Sequence, residues 1–159
     1  MMDDVVIARA VHVLAVVIWI GGVAMVTMAV LPAVRRGNFG PNQLEVFEAI
    51  ERRFAWTARI ATLIVALTGF YMTDRLALWD RFRSAEFWWM HVMVGVWLLF
   101  TVILFVAEPL VLDRWFHERA TAAPDDAFTW LQRAHWLLLA ISLITILAAV
   151  AGSQGVSLL

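Results

Sequence analysis

The sequence predicts an all-α integral membrane protein: a four-helix bundle running up-down-up-down, with a short interfacial amphipathic helix before the second span. Two observations carry this. Hydrophobic residues make up 63% of the 159 and charged residues only 16%, against about 45–50% apolar in ordinary globular chains. The apolar surplus is gathered into four stretches, and a transmembrane helix needs about 20 mostly apolar residues. A chain this apolar cannot cover itself with polar surface in water, so lipid is its solvent. The length allows one transmembrane domain, residues 1–159.

The first span is read at 5–34. It carries Arg9 and His12 near its start and closes on Pro32 and the pair Arg35, Arg36. It is too long for a signal-peptide core and no small-residue cleavage site follows a short apolar run, so a retained helix is expected. The second span is read at 54–72, with Arg59 inside it. It is preceded by LEVFEAIERRF, in which Leu44, Phe47, Ile50 and Phe54 recur at helical spacing with Glu45, Glu48, Glu51 and Arg52 between them. That pattern predicts an amphipathic extension of the second helix lying at the interface. The third span, 87–112, has His91 near its start and Glu108-Pro109 near its end. The fourth, 128–151, contains His135 and is followed by a short Gly/Ser tail. The links fall at 37–53, 74–86 and 113–126. Many of the 9 Trp lie near span ends, where amphipathic rings anchor at the membrane–water boundary.

The remaining composition excludes several chemistries. There is no Cys, hence no disulfide, thiolate metal site or cysteine nucleophile. Every basic residue is Arg, so lysine Schiff-base chemistry is absent. A net charge of −1 leaves no basic footprint for nucleic acid. Arg35, Arg36, Arg52, Arg53, Arg114 and Arg119 lie on the side of the first and third links; Arg9, Arg75, Arg81 and Arg83 lie on the other. By the positive-inside rule this places both termini outside the cytoplasm, in the periplasm of a bacterial inner membrane.

Ionisable groups at membrane depth are costly and each needs a reason. The spans hold His12, Arg59, His91, Glu108 and His135; the fourth histidine, His117, falls in a link and reads as a solvated surface residue. Helices one and three run the same way. His12 lies about seven residues into the first and His91 about four into the third, so both sit within about 6–11 Å of one boundary. Two imidazoles at matched depth can clamp a haem iron from opposite faces. His12, Trp19 and Gly22 share one stripe of the first helix, and Gly21-Gly22 removes bulk there, as a flat macrocycle needs and as close helix packing also needs. Either imidazole could equally hydrogen-bond a carbonyl of a neighbouring helix. His135, Arg59 and Glu108 lie toward the opposite side. They are expected to approach one another, as polar glue or as a second haem, quinone or proton site. Met25, Met28, Met90 and Met93 raise Cu(I), which thioether and imidazole suit, although Met is also an ordinary filler of apolar helices.

The stretch from His12 through Trp19, Gly21 and Gly22 to Leu31-Pro32 and the Arg pair resembles the first helix of the copper resistance protein D family. It is also similar to the related bacterial membrane protoporphyrinogen oxidase. RRFAWTARIATLIVALTGFYM looks like the Arg-rich entry and Thr-Gly exit of the same group. Trp89-Met90-His91-Val92-Met93 resembles the oxidase's Trp-Leu-His-Val-Lys segment, and LAAVAGSQG resembles the family's last helix. The resemblance implies a four-helix bundle able to bind haem b, with His12 matching the family's first-helix histidine. The chain departs from the oxidase at Met93, where the oxidase has Lys, and at Gln132-Arg133-Ala134-His135, where it has Asn-Glu-Pro.

The reading that follows is a haem b-binding inner-membrane protein carrying electrons between the quinone pool and a redox partner protein. His12 and His91 are the expected axial ligands, Trp19 packs on the macrocycle, Gly21 and Gly22 admit it, and Arg9 pairs with a propionate. His135 is a further cofactor-binding candidate, and a second copy of the chain, in a homo-oligomer, is a candidate partner. The alternatives are a protoporphyrinogen-oxidase-like enzyme, a copper transporter and a cofactor-free membrane anchor.

Overall fold

A computed structural model describes residues 3–155. Four long helices fill them, each long and apolar enough to cross a membrane, and the chain is a multi-pass, all-α bundle. Helix α1 runs through Asp3–Arg35. Helix α2 is Gln43–Arg75, and α4 is Pro124–Ser153. Helix α3 is continuous through Trp88–Val102, the wide-turned Ile103–Leu112 and Asp113–Ala122. Four passes bring residues 3 and 155 to one end of the bundle, here the terminal end, together with the 76–87 link. The other two links define the loop end.

The apolar stretch of α2 is preceded by the expected amphipathic segment, which is continuous with it. The whole helix has 33 residues, about 50 Å at 1.5 Å per residue, against a hydrocarbon core of about 30 Å. The surplus projects at the loop end, and its apolar face is buried by protein: Phe47 packs edge-on to Phe128 at 5.4 Å and against Phe116 at 5.7 Å. With Val26, Leu31, Val34, Ala120 and Ala127 these form a loop-end core. A second core, around Trp19, Val23, Ala58, Ala61, Phe100, Leu104 and Leu139, fills the middle of the bundle. The most extensive interface is α1 on α2, where the small residues Ala55, Ala58, Ala61 and Thr62 are buried and let the backbones approach.

One expected link is corrected. Residues 113–126 are not a loop; α3 continues to Ala122 and Ala123 alone joins it to α4. Neither Gly nor Pro occurs between Asp113 and Ala122, and Phe116 and Ala120, one turn apart, are buried against α2 and α4. The first breaker is Pro124, which takes the opening turn of α4, where its missing N–H costs nothing.

Proline also explains the two wide segments, Val26–Val30 and Ile103–Leu112. In these turns an N–H reaches the carbonyl five residues back, as Asp113 does to Glu108. The N–H that would serve Leu104 belongs to position 109, which is Pro109 and has none. The Leu104 carbonyl is therefore free for another donor.

Candidate functional site

At the terminal end, α1 is latched to α2 by Asp4, whose Oδ2 accepts from Tyr71 at 2.8 Å and from Arg75 at 3.0 Å. Two turns deeper, His12 is half-buried against α2, with Nδ1 2.9 Å from the Thr68 hydroxyl. Thr68 directs its own proton to the Ile64 carbonyl at 2.6 Å, with that of Val65 at 3.2 Å. The hydroxyl is thus the acceptor toward His12. In that arrangement Nδ1–H donates, and Nε2 keeps a lone pair. Gly69 gives the ring its room: a Cβ there would lie 3.4 Å from His12 Cε1.

His91 is held differently. It lies at the protein surface, with Nε2 3.0 Å from the Phe82 carbonyl and Nδ1 3.3 Å from that of Phe87; its ring meets Phe82 edge-on at 5.5 Å. Both partners are acceptors, so the ring has no nitrogen free while these contacts stand. The structure sets His12 of α1 against α2 and His91 of α3 against the 79–87 turn. Trp19 lies in the core, edge-on to Phe100 at 4.8 Å. The space over Gly22 is filled by the Phe54 ring, while Gly21 faces open space and Arg9 is at the surface. As a haem site, then, His12 fits the donor set as it stands, and His91 fits only once the Phe82 carbonyl releases Nε2. For copper, Met25 and Met28 face outward while Met90 is buried. Among the described residues no group of three or more His, Asp or Glu is placed to hold a metal ion.

The loop end carries the more complete constellation. Arg59 and Glu108 form the expected ion pair, Nη2 to Oε1 at 3.0 Å, with side chains 18% and 11% exposed. Arg59 Nε donates to the Leu104 carbonyl at 2.8 Å, the one that Pro109 leaves without its helical partner. The guanidinium also lies over Trp56, 5.5 Å from the ring centre. Charge, carbonyl and π-face together account for a guanidinium at this depth.

Beside the pair is a cavity of about 450 Å³. It extends from Arg52 and Arg114 at the surface to Trp19, Phe100 and Leu104 in the bundle core, between the two apolar cores, and Glu108 and His135 are in its wall. His135 joins this wall rather than the ion pair: its Nδ1 is 3.0 Å from the Leu131 carbonyl. A carbonyl can only accept, so Nδ1 is the protonated nitrogen and Nε2 holds the lone pair. Trp19 also lines the cavity; it is 4% exposed, and its indole N–H is buried without an acceptor among the described residues. His117, expected as a plain surface residue, is bonded through Nδ1 to Glu48 at 2.8 Å, and both line the cavity.

Glu51 lines it too and is absent from the expected site. Its signal is present in the sequence: Phe47, Glu51, Phe54 and Ala58 follow one another at i, i+4, i+7 and i+11, so the carboxyl interrupts the apolar stripe of α2. Comparison with known proteins leaves the assignment to the residues themselves: no protein-family model, no curated protein and no solved structure matches this chain.

Proposed function

We propose that the chain is a haem b protein of a bacterial inner membrane, carrying electrons between the quinone pool and a redox partner, with both termini on the periplasmic side. The observation that supports it is the His12 imidazole. With the Thr68 proton on the Ile64 carbonyl, the hydroxyl accepts from Nδ1–H; in that tautomer Nε2 is the nitrogen able to ligate, and a partner on the other ring nitrogen is what orients metal-bound histidines. His91 would be the second residue to hold the haem iron, once its Nε2 is released from the Phe82 carbonyl. The haem supplies one-electron chemistry; the chain supplies ligation, orientation and an apolar surround that tunes the potential. Thr68 holds the ring tautomer and Gly69 admits the ring edge. The Arg excess at the loop end supports the orientation.

The test is an absorption spectrum of the purified full-length protein with and without dithionite, after expression with haem precursor. One haem per chain with sharp reduced b-type bands is expected. It should be lost in His12→Ala and become high-spin in His91→Ala, because one axial bond is gone. Protein that takes up no haem, or a wild-type spectrum kept in both variants, rejects the reading and leaves the anchor role.

A further inference from the structure

We infer that the loop-end cavity is a binding site for the ring of a neutral quinone-class molecule. The inference rests on the electron-carrier reading for the role of the bound quinone, while the site is argued from the cavity alone.

The cavity lies beside the apolar spans, so a molecule dissolved in the bilayer can be its ligand. Its volume, about 450 Å³, is in the ordinary range for small-molecule sites, about 300–1,000 Å³. Phe54, Phe100, Trp115 and Trp130 line it, and aromatic walls favour a flat ring. The charges of the wall balance and favour a neutral ligand: Arg52 and Arg114 stand at the surface opening, opposite the carboxyl groups of Glu48, Glu51 and Glu108, and the Arg59 guanidinium is taken by Glu108.

Two further groups give the ligand its polar ends. The buried indole N–H of Trp19 has no acceptor among the described residues, and a buried donor left unpaired is costly. The nitrogen itself is closed off within the wall, so a ring carbonyl oxygen becomes the acceptor it lacks once the Trp19 side chain turns toward the cavity that it lines. His135 presents the complementary group, because the Leu131 carbonyl holds its proton on Nδ1 and Nε2 accepts a ring hydroxyl. One donor and one acceptor on a shared aromatic-walled cavity match a molecule that has a carbonyl in one state and a hydroxyl in the other. A hydrocarbon chain, the competing occupant, satisfies neither.

The experiment uses the full-length protein in nanodiscs of quinone-free lipid, titrated with the short-chain quinone ubiquinone-1. Uptake is measured against empty nanodiscs by equilibrium partition. Saturable binding of one quinone per chain is expected. Trp19→Phe keeps an aromatic ring at this position and removes the donor together with part of the indole; loss of the donor should weaken binding about three- to tenfold, the effect of one neutral hydrogen bond. His135→Leu should do the same to the reduced, quinol form. Ala134→Trp, from a small residue of the wall, should abolish binding by filling the cavity, while Ala140→Trp, on the outer face of α4, should not. Non-saturable uptake equal to that of empty nanodiscs overturns the inference, as does saturable binding indifferent to Ala134→Trp and to Trp19→Phe. The haem spectrum of the same samples separates the two readings. Quinone bound without haem rejects the electron carrier and keeps the site; haem bound without quinone rejects the site alone.

Discussion

Removing Glu108 should cost more than removing Arg59, although the two form one ion pair. Their 3.0 Å separation corresponds to about 5 kcal/mol of Coulomb attraction at an effective dielectric of 20 and about 1.4 kcal/mol in bulk water. Side chains 18% and 11% exposed place the pair between these limits. Glu108→Leu leaves a guanidinium that cannot shed its proton, so a loss of about 3–5 kcal/mol is expected, the range for breaking a buried pair from one side. Arg59→Leu leaves a carboxyl that can take up a proton and become neutral, and it should cost about 1–2 kcal/mol, mostly the released Leu104 carbonyl. The double variant should lie close to Arg59→Leu, since two apolar residues replacing a buried pair are often near neutral. Steric-trap unfolding in bicelles measures all four corners of the cycle. A coupling energy below about 0.5 kcal/mol, the additivity limit for independent sites, would refute the pair as a stabilising unit, and so would Arg59→Leu proving the costlier change.

Two further predictions concern packing. Gly22→Leu should destabilise by about 1–3 kcal/mol through overpacking, because its Cβ would enter the Phe54 ring, whereas Gly21→Leu should be tolerated because a Cβ there meets no neighbouring group within 4 Å among the described residues; thermal unfolding of the two variants side by side checks the contrast. Phe116→Ala should cost about 3–5 kcal/mol, as for other buried aromatics, since Phe116 is 9% exposed between Phe47 and Phe128. The same measurement on a surface-loop Phe116 would show no change.

The four spans are legible because lipid leaves the chain few choices: about 20 apolar residues must come in helical runs. The Arg59–Glu108 meeting is legible for a related reason, since a charge at that depth needs an opposite charge nearby. What packing alone decides is not legible. Matched depth puts His12 and His91 at one level, but rotation about the helix axis sets which neighbour each ring meets, and that turns His12 to Thr68 and His91 to the Phe82 carbonyl. The polar run from Asp113 to Ala122 hides a helix, because its buried positions, Phe116 and Ala120, are few among Arg, Glu and His. Glu51 is easily grouped with the other interfacial carboxylates, although its place on the Phe47–Phe54 stripe sets it apart.

Pro109 links the backbone to the ion pair, and this makes its replacement the most discriminating test of the loop end. In an ordinary helix interior proline is worse than alanine by about 3 kcal/mol, so Pro109→Ala would stabilise an ordinary helix by that much. Here the wide turn has already moved the vacancy onto the Leu104 carbonyl, and Arg59 Nε fills it at 2.8 Å. The substituted alanine would bring an N–H that competes for the same oxygen, so the protein exchanges one hydrogen bond for another. Stability should stay within about 1 kcal/mol of wild type, the net worth of one such bond. The consequence should appear instead in the second substitution: Arg59→Leu in the Pro109→Ala background no longer strands the carbonyl and should cost about 1 kcal/mol less than in the wild-type background. A full gain of about 3 kcal/mol in Pro109→Ala, or strict additivity of the two changes, would show that the Leu104 carbonyl is not the element joining the proline to the arginine.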